Sequence, residues 1–269
     1  MEDNNRKGPG IFYAVVGVAT LVVAIIGATF AFFSASAEST GDTITGGTNN
    51  ELAAALKLSV YKLDWTDNGG ATSNDLVPAD FGDTEGNPRD LSTDEVQGAL
   101  NAKCVNAGYT GCHLWKIDAT TTQTIANASV VLDLSVSATD KANWRYAIFT
   151  ATGEAVAGDV TNPSITVNNF ATVGSTVDGV THKAQGNLST AITGLDMHNN
   201  AAMSAGTVDD DGNVTKPSNN YYLLVYLANV NNSQNAQGVG STSETGTYTG
   251  TVTMNAAGGQ VSATFTAAQ

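Results

Sequence analysis

Few residues in this chain are of a type and spacing that could do chemistry. Cys104 and Cys112 are its two cysteines, eight positions apart around VNAGYTG. Outside the cell such a pair is read as one disulfide closing a small loop. His113 follows Cys112 directly, but no second pair of ligands stands at zinc-finger spacing. His113, His182 and His198 are scattered, and none lies in an H-E-x-x-H pattern that puts two ligands on one helical face. Asp209, Asp211 and Asn213 alternate within DDDGNV, a spacing that lets carboxylates converge on one ion. Calcium is therefore the candidate cation and no other cofactor is expected. The alternative is a solvated acidic turn, because Gly212 comes two places early and Asn220 stands where a bidentate Glu would be needed. Trp65, Trp115 and Trp144 each fall in or at the end of an expected strand; core packing is the favoured role, a sugar-binding platform the other. No G-x-S-x-G and no phosphate-cradling loop occurs. The expectation is a protein that is not an enzyme.

The elements that position these residues begin with an apolar run. Ile11 to Phe33 is uncharged, follows Arg6 and Lys7, and precedes a stretch with no Lys or Arg until Lys57. As a helix it would span about 35 Å, enough for a hydrocarbon core. The charge asymmetry places the N-terminus inside the cell and the rest outside, at the cell surface or beyond. Residues 1–37 read as a signal peptide or membrane anchor, with small residues suiting cleavage after Ala31 or Ala37. Residues 38–52 are polar and Gly/Thr-rich, a flexible arm, and 53–269 read as a single β-domain. The chain carries 11 basic and 25 acidic residues, a net charge of −14. That balance argues against nucleic acid and anionic lipid as partners, leaving the membrane only to the N-terminal segment.

Alternation marks the strands. Residues 55–65, 113–119, 127–138, 143–151, 164–170 and 189–195 follow period two to varying degrees, and 221–230 is almost wholly apolar, as a strand covered on both sides should be. Residues 247–255 and 260–267 read as a closing hairpin, and 70–90 as a long loop. One helix is expected: Ser92 and Glu95 form a capping box, and Val96, Ala99, Leu100 and Cys104 follow at helical spacing. The helix would run into Cys104, so the disulfide would pin its end to the next strand. The sum is an all-β, jelly-roll-like sandwich with one short inserted helix, preceded by an N-terminal hydrophobic helix.

Gly27, Thr29, Phe30, Ala31, Phe33 and Ser34, within GVATLVVAIIGATFAFFSA, resemble the leader of the TasA/camelysin-like exported proteins of Gram-positive bacteria. The closing segments YYLLVYLANVNNSQN and GTYTGTVTMNAAGGQVSATF are similar to that family's last strands. The resemblance implies a jelly-roll subunit, a dedicated signal peptidase of the SipW type, cleavage after Ala31, and homo-oligomeric fibres in a biofilm matrix. The acidic residues Glu2 and Asp3 and the cysteine pair depart from the family pattern. The metallopeptidase activity described for camelysin is not carried over, since no zinc-protease motif is present. The mechanism expected from the residues is donor-strand exchange: Phe32, Phe33 and Ile44, on an arm running to about residue 50, add to a neighbour's sheet head-to-tail. The competing readings are a type IV-like pilin, from Arg6-Lys7-Gly8 before the apolar run, a surface-anchored sugar-binding module, and a surface metallopeptidase.

Overall fold

β-branched and aromatic residues at alternate positions dictate the architecture, and the computed structural model resolves it into two facing sheets. It describes residues 44–47, 56–65, 76–79, 81, 89–106, 109–138, 141–153, 163–174, 182–209, 214–229, 246–256 and 259–268. All of these belong to one compact unit, 37–269; the apolar run 11–33 lies outside them. Among the described residues no helix is long and apolar enough to cross a membrane.

The elements in chain order are β1 (Ile44–Gly47), β2 (Leu56–Leu63), β3 (Pro78–Ala79), α1 (Thr93–Asn101), β4 (Val105–Asn106), β5 (Tyr109–Thr110), β6 (Cys112–Thr121), β7 (Ala128–Ser137) and β8 (Trp144–Thr152). There follow β9 (Thr166–Phe170), β10 (Gln185–Asn187), β11 (Ile192–Asp196), β12 (Thr207–Val208), β13 (Val214–Lys216), β14 (Asn219–Ala228), β15 (Thr247–Ala256) and β16 (Gly259–Ala268). One sheet runs β1-β16-β15-β7-β11. The other runs β10-β8-β14-β6-β2, with β9 also on β8 and β3 also on β14. Neighbours are antiparallel except β3 and β14.

The inward residues of both sheets form one buried cluster. Leu58 and Val60, Trp115 and Ile117, Ile148, and Leu223 and Val225 come from the second sheet; Val130, Leu132, Val252 and Phe265 come from the first. Gly250 stands opposite Phe265 in the β15–β16 hairpin. A Cβ on Gly250 would meet the Phe265 ring at 2.1 Å, so the ring lies where no other side chain would fit. The second sheet is covered on its other face too. Leu114, Phe149, Tyr222, Leu224 and Tyr226 pack there against Leu91, Val96, Ala99 and Leu100 from α1 and its approach. This explains why β14 reads as a nearly continuous apolar run and why β6 is buried at every position.

Two glutamine side chains tie α1 to the edges of that sheet. Val167 N donates to Gln97 Oε1 at 2.8 Å, and Gln97 Nε2 donates to the Ile165 carbonyl at 3.2 Å. Gln185 makes the same double contact with the backbone of Leu91, at 2.9 and 3.0 Å. Neither clamp has a signature in sequence.

Two expectations are corrected. The helix ends at Asn101 and does not run into Cys104. Lys103 and Cys104 adopt left-handed backbone, φ 56° and 53°, which a helix cannot continue through. Within the expected loop 70–90, Pro78–Ala79 pairs in parallel with Leu227 and Ala228. Within the arm expected to donate a strand, Ile44–Gly47 is a strand, paired here with β16 of its own chain.

The capping box forms as expected: Glu95 N donates to Ser92 Oγ at 3.2 Å and Ser92 N to Glu95 Oε2 at 2.7 Å. Arg89 also pairs with Glu95. The Arg89 hydrogen bond, then the Ser92 backbone, hold the Glu95 carboxyl down at about 2 from its ordinary 4.5. A depressed carboxyl stabilises the fold above its unfolded value and loses that effect as pH falls through its folded one. The stability gap between wild type and Glu95→Gln should be full at pH 7 and close as pH falls from 4.5 towards 2. Urea unfolding across that range checks it, and a gap unchanged at pH 2 would refute it.

Candidate functional site

The N-terminal strand is where the expected assembly residues and the described structure meet. β1 lies antiparallel on β16, with Ile44 opposite Ala263, Thr45 opposite Ser262, Gly46 opposite Val261 and Gly47 opposite Gln260. β1 ends the order of its sheet, so this pair is the sheet's margin. β16 carries inward Val261, Ala263 and Phe265, all buried. Its alternate residues meet β15 through hydroxyl pairs: Thr249–Thr266 at 3.3 Å, Thr251–Thr264 at 3.1 Å and Thr253–Ser262 at 3.0 Å. The strand that receives β1 is thus anchored on its other side by ten paired positions. Ala31, Phe32, Phe33 and Ala37 lie outside the described residues. Ile44 was expected in a donated strand, but its pairing with β16 of its own chain was not legible, because four residues with two glycines carry no periodicity.

Of the calcium candidates, one lies within the described residues. Asp209 is exposed just beyond β12, while Asp211 and Asn213 lie outside the described residues. Among the described residues no group of three or more His, Cys, Asp or Glu is placed to hold a metal ion. The histidines serve three different neighbourhoods. His198 Nδ1 lies 2.8 Å from the Tyr221 hydroxyl in a loop organised by Asp196. That carboxylate accepts from the backbone N–H of Val130, His198 and Asn200. His182 is half-buried between β9 and β10. His113 is buried inside the sandwich, its Nδ1 2.9 Å from the Tyr248 hydroxyl.

Tyr248 in turn accepts from Trp115 Nε1 at 2.7 Å. The one hydroxyl therefore bridges the two rings, accepting from Trp115 while it pairs with His113. Burial pushes the Tyr248 hydroxyl far up, so it stays protonated and able to donate. The three side chains form a buried hydrogen-bonded network in the core. Trp115 and Trp144 are 4% and 0% exposed, in the core as favoured, whereas Trp65 is half-buried on the helix side.

A second buried polar group escaped the sequence reading. Lys116 and Asp118 project from β6 on the helix side, with Nζ and Oδ2 3.5 Å apart. The Tyr61 hydroxyl donates to the same carboxylate at 2.6 Å. Burial pushes the Asp118 carboxyl up, against the pull of Lys116 and Tyr61. W-K-I-D reads as an ordinary alternating strand, so only the two-sided burial of β6 exposes the oddity.

Cys104 and Cys112 are bonded, with Cα atoms 5.0 Å apart. The bridge closes a loop containing the β4–β5 pair and joins the segment after α1 to the first residue of β6. Replacing both cysteines by Ala should cost about 2.5 kcal/mol on the loop-entropy model, read by urea unfolding; an equal stability would show the bridge to be thermodynamically idle. Tyr248→Phe should cost about 1–3 kcal/mol for each of the two ring groups it strands, and a loss below that range would mean the network is not intact in solution. Set against known proteins, the chain matches no family model, no curated protein and no solved structure.

Proposed function

We propose that this protein is an exported structural subunit that assembles head-to-tail into a cell-surface or matrix filament, by exchange of its N-terminal strand. The observation that carries the reading is β1 on the β16 edge. It supplies both halves of a donor-strand contact: an arm that adopts strand geometry, and a sheet margin that accepts it. Backbone hydrogen bonds give such a contact its affinity and need little sequence specificity. A glycine-rich strand of four residues holds its own edge weakly, which favours replacement by a neighbour's copy of the same arm. The twelve residues from Phe32 to Thr43 span about 40 Å when extended, enough to reach another subunit. Because donor and acceptor are different surfaces, the contact does not close on itself and propagates.

The strand order supports a jelly-roll description. β15-β7-β11 faces β6-β14-β8-β10, and successive long strands cross between the sheets at β6 to β7, β7 to β8 and β14 to β15. Together with the leader pattern around Ala31, this agrees with the TasA/camelysin-like resemblance. The disulfide suits an oxidising compartment.

Thr45 and Ser262 stand opposite each other in the β1–β16 register. A Thr45→Cys/Ser262→Cys variant, oxidised, should remain a folded monomer and form no filaments by negative-stain microscopy. The unsubstituted protein should form them under the same conditions, with and without reductant. Normal filaments from the locked variant would overturn strand exchange, and their absence from the unsubstituted protein would overturn the filament itself.

A further inference from the structure

We infer that the groove beside Trp65, at the end of α1, is a carbohydrate-binding site that takes a short run of pyranose rings. Two cavities meet there. One, of 430 Å³, is bordered by Trp65, Asn101, Lys103 and Ser164 among others. The other, of 220 Å³, shares Trp65 and Lys103 with it and reaches the Cys104–Cys112 bridge and Thr110. The first alone falls in the range of about 300–1,000 Å³ that ligand clefts occupy.

The chemistry of the lining selects the ligand. A sugar ring offers an apolar C–H face and a rim of hydroxyls. It needs an aromatic surface to stack on and short polar groups around it. Trp65 supplies the surface. It packs on the helix-side cluster and is only partly buried, unlike Trp115 and Trp144, which the core consumes. The Asn101 amide, the Ser164 hydroxyl and the Lys103 ammonium border the same cavity and can meet hydroxyl groups as donors or acceptors.

The groove is also built to be stiff. Asn101 is the last residue of α1, and its Oδ1 accepts from Gln97 Nε2 at 2.9 Å. Gln97 also binds the backbone at Ile165 and Val167, next to Ser164. Lys103 sits in the left-handed pair that precedes the disulfide. Both walls are therefore fixed by contacts already made, so little order remains to be imposed on binding. The site is remote in sequence from β1 and does not depend on filament formation.

The full secreted chain is titrated with chitohexaose, cellohexaose, xylohexaose and oligogalacturonate, followed by tryptophan fluorescence and calorimetry. At least one probe should give a saturable signal from Trp65, since Trp115 and Trp144 are screened. Trp65→Ala should weaken that binding at least tenfold while circular dichroism and filament formation are unchanged. Lys103→Asn, which tolerates left-handed backbone, should weaken it as well. No saturable response to any of the four probes would overturn the proposal. So would a Trp65→Ala variant that folds and binds as tightly as the unsubstituted chain.

Discussion

Tyr221 to Ala228 must be buried on both faces at once. No residue of that run is more than 5% exposed. One side of a sheet can be satisfied by a second sheet, but the other then needs a separate cover. The first requirement brings β15, β7 and β16 over Leu223, Val225 and Leu227. The second brings α1 over Tyr222, Leu224 and Tyr226. Burying a side chain of this size is worth about 1.5–3 kcal/mol, so neither face can be left to water. The helix, its capping box and the two glutamine clamps follow from the second requirement.

The disulfide belongs to the same logic. A nine-residue helix has little stability by itself and persists through its packed face. Cys104 lies just after it, and Cys112 opens β6, a strand of the sheet the helix covers. The bridge fixes the cover to the layer beneath. It also rigidifies the left-handed turn at Lys103, so the surface groove near Trp65 is a by-product of closing the core. The buried Lys116–Asp118 pair lies on the same face and is the least economical part of the layer, since its charges have given up water for each other and for Tyr61.

The far sheet follows a different rule. Its outer face is a field of Thr and Ser, and β7 alternates buried and solvent-facing residues along its length. With nothing required to cover it, that sheet can spare its margin. β16 is held by β15 on one side and accepts four residues of the arm on the other. The molecule thus concentrates its burial around β14 and carries a four-residue strand with two glycines at the margin of the far sheet.

Alternation located β2, β6, β7, β8 and the closing hairpin, because side chains on a strand switch faces at every residue and one buried face imprints that period on the sequence, whereas β14 was marked by a continuous apolar run. Ser92 and Glu95 announced the helix start, since capping is settled by residues three apart. The cysteine pair was legible for the same local reason. The end of the helix was not, because the left-handed backbone at Lys103 and Cys104 has no glycine to mark it. A strand on the arm was expected at Ile44, but its partner was not legible, because the pairing with β16 joins residues more than 200 positions apart and four residues are too few to show a period. The roles of Trp65, Trp115 and Trp144 could not be separated either: each ends or occupies a strand, and only the packing of the two sheets and α1 decided which two the core would take. Local rules reach as far as the neighbouring turn; which faces are covered, and by what, is decided by contacts between distant segments.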